Sequence, residues 1–234
     1  LSACATTTTT TTRVPEGPSS STDNRAATGG DAERRAQVRL ELATGYFARG
    51  QYDTALDEIR QTLAAKPDLP AAFNLRGLVY AALGNNDLAE ERFARAQSLD
   101  PNDGDILHNR GWFYCTGRRY ADAVRLFDAA LAQTTYRAAV RTHLAKGVCL
   151  AQWDRLPDAE DSLTRAFELD PGDPTITLNL AEVLFRRGEL ERARQGIAAG
   201  FDRDQLPAAA GEGALIRMTQ EKPVKKPVTA TLPQ

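Results

Sequence analysis

The side chains that most often carry chemistry are few in this chain of 234 residues. It has two histidines, His108 and His143, and three cysteines, Cys4, Cys115 and Cys149. Because no Cys-x-x-Cys or His-x-x-x-His pair occurs, the spacing predicts no zinc site. Neither histidine stands in a local motif of a Ser-His-Asp or Cys-His enzyme. We therefore expect no catalytic activity, no metal and no small-molecule cofactor.

Cys4 is the cysteine whose surroundings suggest a modification. It closes the sequence Leu1-Ser2-Ala3-Cys4, which resembles the lipobox where bacterial lipoproteins are cleaved before the cysteine. The resemblance implies an exported protein whose Cys4 thiol carries diacylglycerol. Ala5 after the cysteine implies sorting to the outer membrane, with the protein facing the periplasm. A chance match in a cytosolic protein is the alternative.

The stretch after Cys4 predicts a disordered tether. Residues 5–35 include seven consecutive threonines, Thr6 to Thr12, followed by prolines, glycine and serines. Such a segment buries too little apolar surface to offset its conformational entropy. We assign residues 1–35 to the lipobox and this tether. A disordered terminus with no tethering role is the alternative.

The amino-acid composition limits the partners and the fold class that the chain can have. There are 29 Lys and Arg against 31 Asp and Glu, a formal net charge of -2 that argues against a nucleic-acid binder. No apolar run approaches the ~18 residues of a membrane-spanning helix. Leu, Ala, Arg and Glu are abundant while Ile and Val are sparse, which favours helix over sheet.

From Ala36 onward the chain repeats itself with a period of 34 residues. Tyr46 and Tyr80 are one period apart, and so are Gly50 and Gly84. The same spacing relates Ala55 to Ala89 and Pro67 to Pro101. This order of small, aromatic, turn and proline positions is the tetratricopeptide pattern. It predicts an all-α, right-handed superhelix of about five helix-turn-helix repeats, flanked by disordered terminal segments.

The repeats can be placed on the sequence. We assign the tetratricopeptide domain to residues 36–203, with repeats at 36–69, 70–103, 104–139, 140–173 and 174–203. The third repeat is longer and lacks the terminal proline, so we expect an irregular connection at residues 133–136. Residues 204–234 are assigned to a degenerate capping helix and a disordered tail.

Helix packing within each repeat explains the residue types of the pattern. Small residues at Gly77 and Ala89 let two antiparallel helices cross closely, and Tyr80 and Phe93 fill the space beside them. Pro101 cannot continue a helix and fixes the exit of the second one. Each hairpin leaves an apolar face that the next hairpin covers.

One face of the first helices should line the concave groove where such superhelices bind partners. An apolar row with a tryptophan on a solvated face indicates a binding surface. The alternative is that these residues form core between repeats. His108 is interpreted as a polar groove residue and not as a ligand. The predicted groove residues are Phe47, Asn74, Leu78, His108, Trp112, Leu144, Val148, Leu178 and Phe185.

Cys115 and Cys149 lie in the first helices of neighbouring repeats, 34 residues apart. Since neighbouring first helices pack side by side, the two thiols can meet. In an oxidising compartment the pair would form a disulfide between the third and fourth repeats. Two separately buried small side chains are the alternative.

Residues 96–131 resemble more than a generic repeat. They are similar to the type IV pilus biogenesis and stability lipoproteins of the PilF/PilW family, which carry a segment like SLDPNNGDVLNNYG-x-F-L-C. This chain reads SLDPNDGDILHNRGWFYC from Ser98 to Cys115, and Gly147 and Cys149 fit a Gly-x-Cys in the fourth repeat. The resemblance covers about residues 36–200. Arg110 departs from the family's tyrosine, and the sixth repeat common in the family is missing or eroded after Phe201.

The resemblance implies a pilotin-type protein without catalytic activity. Such a protein is anchored by its lipid in the outer membrane, facing the periplasm. It binds the type IV pilus secretin or other pilus assembly proteins, assisting secretin localisation and assembly and pilus stability. Nucleic acid and small-molecule substrates are not expected. Two alternatives stay open: a periplasmic tetratricopeptide lipoprotein of another envelope or outer-membrane assembly pathway, and a cytosolic peptide-docking adaptor.

Overall fold

The described part of the chain is helical throughout. The computed structural model describes residues 21–200, with side chains described for residues 30–195. Over these residues it contains ten α-helices and no strand, which confirms the all-α prediction. The helices are α1 (Ser21–Ala48), α2 (Tyr52–Ala65), α3 (Pro70–Ala82), α4 (Asn86–Leu99), α5 (Gly104–Thr116), α6 (Tyr120–Leu131), α7 (Ala139–Gln152), α8 (Leu156–Leu169), α9 (Pro174–Arg186) and α10 (Leu190–Gly200).

The helices pair as five hairpins, each made of an odd-numbered helix and the helix that follows it. α3, α5 and α9 begin at Pro70, Gly104 and Pro174, the first residues assigned to the second, third and fifth repeats. α7 begins at Ala139, one residue before the assigned start of the fourth repeat. The connection from α6 to α7, residues 132–138, is longer than the other connections between hairpins and is irregular, as expected.

Each hairpin turns through one residue in the left-handed backbone region. Glycine fills this position in three hairpins, at Gly50, Gly84 and Gly188, with φ of 72°, 76° and 81°. The third and fourth hairpins use Arg118 and Asp154 instead, with φ of 61° and 63°. A side chain with a Cβ is disfavoured at such angles. These two turns therefore carry a local backbone cost that the glycine turns avoid.

Close helix crossing within a hairpin depends on the small residues that the repeat pattern places there. A Cβ added to Gly77 in α3 would meet the Phe93 ring of α4 at 2.8 Å. Phe93 itself is fully buried, and Ala89 beside it is too. The predicted roles of Gly77, Ala89 and Phe93 in the hairpin are therefore confirmed.

The first helix differs from the prediction at its start. Residues 21–35 were expected to belong to a disordered tether, but α1 begins at Ser21. Low apolar content excludes a packed core, yet a helix that is already packed at one end extends by adding single hydrogen bonds. Ala36 is buried, Arg39 pairs with Glu58 at 2.8 Å, and Glu33 pairs with Lys66, the residue after α2, so this end is held.

Several assignments lie outside the described residues. These are the lipobox with Cys4, the threonine run, and the capping helix and tail assigned to residues 204–234. The last part of the fifth repeat, residues 201–203, also lies outside them. Within residues 21–200, no helix combines the length and apolar character that crossing a membrane requires.

Candidate partner-binding groove

The odd-numbered helices form an inner layer, in which α3, α5, α7 and α9 are each bonded to the next. The amide of Asn109 in α5 donates to the Asn74 side chain in α3 at 3.3 Å. Arg141 of α7 pairs with Asp105 of α5 at 2.6 Å. Arg186 of α9 donates to the backbone carbonyl of residue 151 at 2.9 Å. These bonds hold the first helices of four successive repeats as one surface.

The nine predicted groove residues fall into three groups by exposure. Only one is exposed, five are partly buried, and three are buried. The exposed residue is Leu178; the partly buried residues are Phe47, Asn74, Leu78, Trp112 and Phe185; the buried residues are His108, Leu144 and Val148.

Leu144 and Val148 are core residues, so their assignment to the partner surface is wrong. They are 6% and 4% exposed and belong to one hydrophobic cluster with residues of α8 and α9. Trp112 packs against this cluster from α5. Because neighbouring first helices pack closely in the middle of the chain, their facing side chains cover each other instead of a partner.

His108 is also a core residue and not a polar groove residue. It is 2% exposed, and its Nδ1 lies 2.8 Å from the Thr142 hydroxyl. The Tyr136 hydroxyl is 2.7 Å from the same oxygen, so three side chains share one buried chain of hydrogen bonds. Burial, with a smaller contribution from Arg141, lowers the pKa of His108 to about 3. The imidazole is therefore neutral at physiological pH.

Trp112 lies between surface and core. It is partly buried and packs against two clusters, one containing Leu144 and Val148 and the other containing Tyr114 and Phe127. Part of the Trp112 surface stays accessible. A change at Trp112 therefore affects the packing between repeats as well as any partner contact.

Phe47 and Leu78 pack at the N-terminal end of the inner layer. Both lie against the cluster that joins the first and second repeats. The Phe47 ring centroid is 6.0 Å from that of Tyr52, which begins α2. These side chains are partly covered, so they offer a smaller apolar surface than the sequence pattern indicates.

The most accessible apolar surface of the predicted groove is on α9. Leu178, 47% exposed, and Phe185 are seven residues apart and lie on one face of the helix. Glu182 stands between them on the same face and was not predicted. Burial raises the pKa of Glu182, and Arg186 one turn later opposes that shift. The surface thus combines two apolar side chains with a partly desolvated carboxylate.

The predicted meeting of Cys115 and Cys149 is confirmed. Their Cα atoms are 5.8 Å apart, inside the range that disulfides span, and the two sulfurs lie at bonding distance. Both residues are buried, at 1% and 0% exposure. The pair joins α5 to α7 behind the groove surface.

In the described residues, the titratable side chains are not clustered as metal ligands. Among residues 30–195, no group of three or more His, Cys, Asp and Glu side chains is placed to hold a metal ion. His143 is half-buried; burial, followed by Lys146 and Arg165, lowers its pKa.

Comparison with known proteins defines the class. Models of the tetratricopeptide repeat match residues 40–104 and 114–174, and a second such model matches residues 150–213. The chain therefore belongs to the tetratricopeptide repeat family.

Similarity to individual proteins is more specific than the match to the repeat family. "Type IV pilus assembly protein PilF" of Pseudomonas aeruginosa is 26% identical over 167 residues, or 71% of this chain and 66% of that protein. The chain thus spans just under two thirds of PilF. The crystal structure of PilW, a "widely conserved type IV pilus biogenesis factor", superposes with a TM-score of 0.69 at 28% identity, over 78% of this chain and 88% of PilW. These matches confirm the resemblance to the PilF/PilW family.

The repeats alone also produce similarity to proteins of other kinds. The BBSome complex member BBS4 of Mus musculus is 27% identical over 208 residues, which is 80% of this chain but 40% of BBS4. The chain spans well under half of that relative. What BBS4 and this chain share is the repeated hairpin.

Proposed function

We propose that this chain is a non-catalytic scaffold of type IV pilus biogenesis. In this proposal an acylated Cys4 holds it at the outer membrane, facing the periplasm. Its inner layer binds a segment of the pilus secretin or of another pilus assembly protein. The observation that carries the proposal is similarity to both PilF and PilW, which extends over more than two thirds of the chain.

The inner layer supports a binding role because it is already bonded together. Bonds made by side chains connect α3 to α5, α5 to α7 and α9 to α7. A surface that is ordered before the partner arrives loses less conformational freedom on binding. An extended partner segment would therefore meet a preformed surface.

The α9 surface indicates what a partner segment should carry. Leu178 and Phe185 accept apolar side chains, and Glu182 between them accepts a lysine or arginine. A partly desolvated carboxylate gains more from a cationic partner than an exposed one does. We therefore expect a partner segment with apolar anchors around a basic residue.

A pull-down tests the proposal. The full chain is used as bait for detergent-solubilised envelope, and captured proteins are identified by mass spectrometry. We expect the secretin or another pilus assembly protein, with capture reduced about tenfold by Leu178→Arg. Leu169→Arg is the matched control, because Leu169 is also exposed, at 56%, but ends α8 outside the inner layer.

The identity of the captured proteins distinguishes the pilus proposal from the envelope-assembly alternative. Capture of outer-membrane assembly proteins without any pilus protein would replace the pilus proposal by the envelope-assembly alternative. Equal capture by the wild-type chain and Leu178→Arg would exclude the α9 surface as the binding site. Trp112→Ala is expected to reduce capture and, because Trp112 packs on two clusters, to lower stability as well.

The membrane anchor has its own test. Cys4→Ser removes the thiol that diacylglycerol would modify, so the protein should move from the outer-membrane fraction to the soluble periplasmic fraction. Unchanged membrane fractionation would contradict acylation at Cys4. Leu169→Arg is the control substitution, since it changes an exposed residue and leaves Cys4 in place, so it should stay in the outer-membrane fraction.

A further inference from the structure

Helix α1 carries an apolar face that no described element covers. Val38 and Leu42, one turn apart, are 51% and 48% exposed. A Cβ added to Gly45, on the same face, would meet nothing within 4 Å. This face ends the described array of repeats on its N-terminal side.

The same positions are covered in later repeats. Arg110 corresponds to Leu42 and pairs with Glu90 of α4 at 2.5 Å. Phe113, three residues further along that face, lies with its ring centroid 5.4 Å from that of Phe93 in α4. The face of α1 is therefore shaped to pack against a helix, which in the later repeats is the second helix of the preceding repeat.

The residues of this face form a stripe with the spacing of a coiled-coil seam. Successive members are separated by four, three, four, three and four residues, which places those within α1 on one side of the helix. The last member follows directly after Ala48, where α1 ends. The members are Asp31, Arg35, Val38, Leu42, Gly45 and Arg49, which we call the α1 stripe; five are exposed and Gly45 is intermediate.

The α1 stripe is complementary to itself when reversed. Consider an antiparallel pair centred between Val38 and Leu42. Val38 of each copy then lies opposite Leu42 of the other copy. Asp31 then lies opposite Arg49, an acidic residue against a basic one. Arg35 lies opposite Gly45, where the absence of a side chain leaves room for the long arginine stem.

We propose that two copies of this chain pair through their α1 stripes, with the helices antiparallel about a two-fold axis. Such an isologous contact uses the same surface on both copies. Within the helix, from Asp31 to Gly45, the stripe spans 14 residue steps, about 21 Å. The proposal does not depend on the proposed function.

The chain's own N-terminal segment is a poor occupant of this face. Residues 1–20 contain two large apolar residues, Leu1 and Val14, and two prolines, Pro15 and Pro18. That sequence offers no apolar stripe at helical spacing. A second copy supplies a helix with the matching pattern.

Sedimentation of the full chain over a wide concentration range tests the pairing. We expect a concentration-dependent monomer–dimer equilibrium, weakened about tenfold by Leu42→Arg, which buries a charge in the stripe. Leu169→Arg, at an exposed leucine elsewhere, should leave the equilibrium unchanged. Circular dichroism of each variant checks that helix content is kept.

A charge-reversal cycle makes the test specific to the antiparallel register. Asp31→Arg and Arg49→Asp should each weaken the dimer about threefold, and the double variant should regain wild-type affinity. Both residues are exposed, so neither change threatens folding. A chain that stays monomeric at every concentration, or a double variant no better than the singles, would overturn the proposal. A monomer that instead binds a different protein through α1 would overturn it too.

Discussion

Two neighbouring junctions between repeats differ in the strongest bonds that hold them together. Junction 2/3 joins the second and third repeats through polar side chains, chiefly the Asn74–Asn109 bond and the ion pair of Arg110 with Glu90. Junction 3/4 joins the third and fourth repeats through the Cys115–Cys149 pair. It adds the buried hydrogen-bond chain from His108 through Thr142 to Tyr136.

The two junctions differ in strength because their bonding side chains differ in exposure to water. Glu90 at junction 2/3 is 35% exposed and also accepts from Tyr114 at 2.7 Å, so water competes with its partners. The cysteines and His108 at junction 3/4 are at most 2% exposed. Exposed ion pairs contribute about 0–1 kcal/mol, whereas a bond that closes a loop of this length contributes several times more. The same fold thus has a strong and a weak junction side by side.

The largest expected effect comes from opening the cysteine pair. Its partners are 34 residues apart, and a disulfide closing such a loop stabilises by about 3–4 kcal/mol in the chain-entropy treatment. We expect reductant to lower the free energy of unfolding in urea by that amount. The Cys115→Ala/Cys149→Ala variant is the control, since reductant should not change it. Free thiols at both positions in the purified, untreated protein would contradict the bond.

The next effect is the acid sensitivity of junction 3/4. His108 has a folded pKa of about 3, below its ordinary value of 6.5, so the unfolded chain takes up the proton first as pH falls. The stability that neutral His108 contributes is complete above pH 6.5 and is lost as pH falls toward 3. Unfolding at pH 5 should be easier than at pH 7 by about 2 kcal/mol from this residue.

His108→Asn isolates that effect from other titrations. The variant keeps a polar group near Thr142 but cannot take up a proton in this range. Its unfolding free energy should change less between pH 7 and pH 5 than that of the wild-type protein. Identical pH dependence in the two proteins would show that His108 is not the responsible group.

A smaller effect is expected at junction 2/3. Glu90→Gln keeps the size of the side chain but removes the charge that Arg110 and Arg119 share. Because the carboxylate is about one third exposed, we expect a loss of about 1 kcal/mol or less, diminishing in high salt. Denaturation at low and high ionic strength measures it. A loss equal to that of opening the cysteine pair would refute the ranking of the two junctions.

The smallest expected effect is an increase in stability. Arg118→Gly relieves the positive φ in the third hairpin, and we expect stability to rise by about 0.5 kcal/mol after the extra flexibility of glycine is counted. The melting temperature compared with that of the wild-type protein reports it. A decrease would mean that the Arg118 side chain contributes more than its backbone angle costs.

The repeated hairpin could be predicted from sequence because its determinants are local. Gly77 and Phe93 recur with one period, and each controls a contact within its own hairpin. His108 could not be assigned in the same way. Its partners, Thr142 and Tyr136, come from the next repeat and from the irregular connection, whose path no periodicity specifies.

Two other differences between the sequence predictions and the structure also depend on the surroundings of the residues. The helix at residues 21–35 was missed because composition reports on core formation and not on the extension of a helix already held by Ala36. Glu182 was missed because an acidic residue at one position of an apolar face gives no signal until its burial is known. What sequence spacing does predict is which cysteines meet, since Cys115 and Cys149 keep the period of the repeat.

The two hairpins that turn without glycine, at Arg118 and Asp154, are the two that the cysteine pair joins. A left-handed residue with a side chain costs about 1–2 kcal/mol, less than the cysteine pair contributes. This part of the chain therefore has a margin of stability within which unfavourable substitutions can persist. Under reducing conditions that margin disappears, and the backbone cost of these two turns is no longer offset by the cysteine pair.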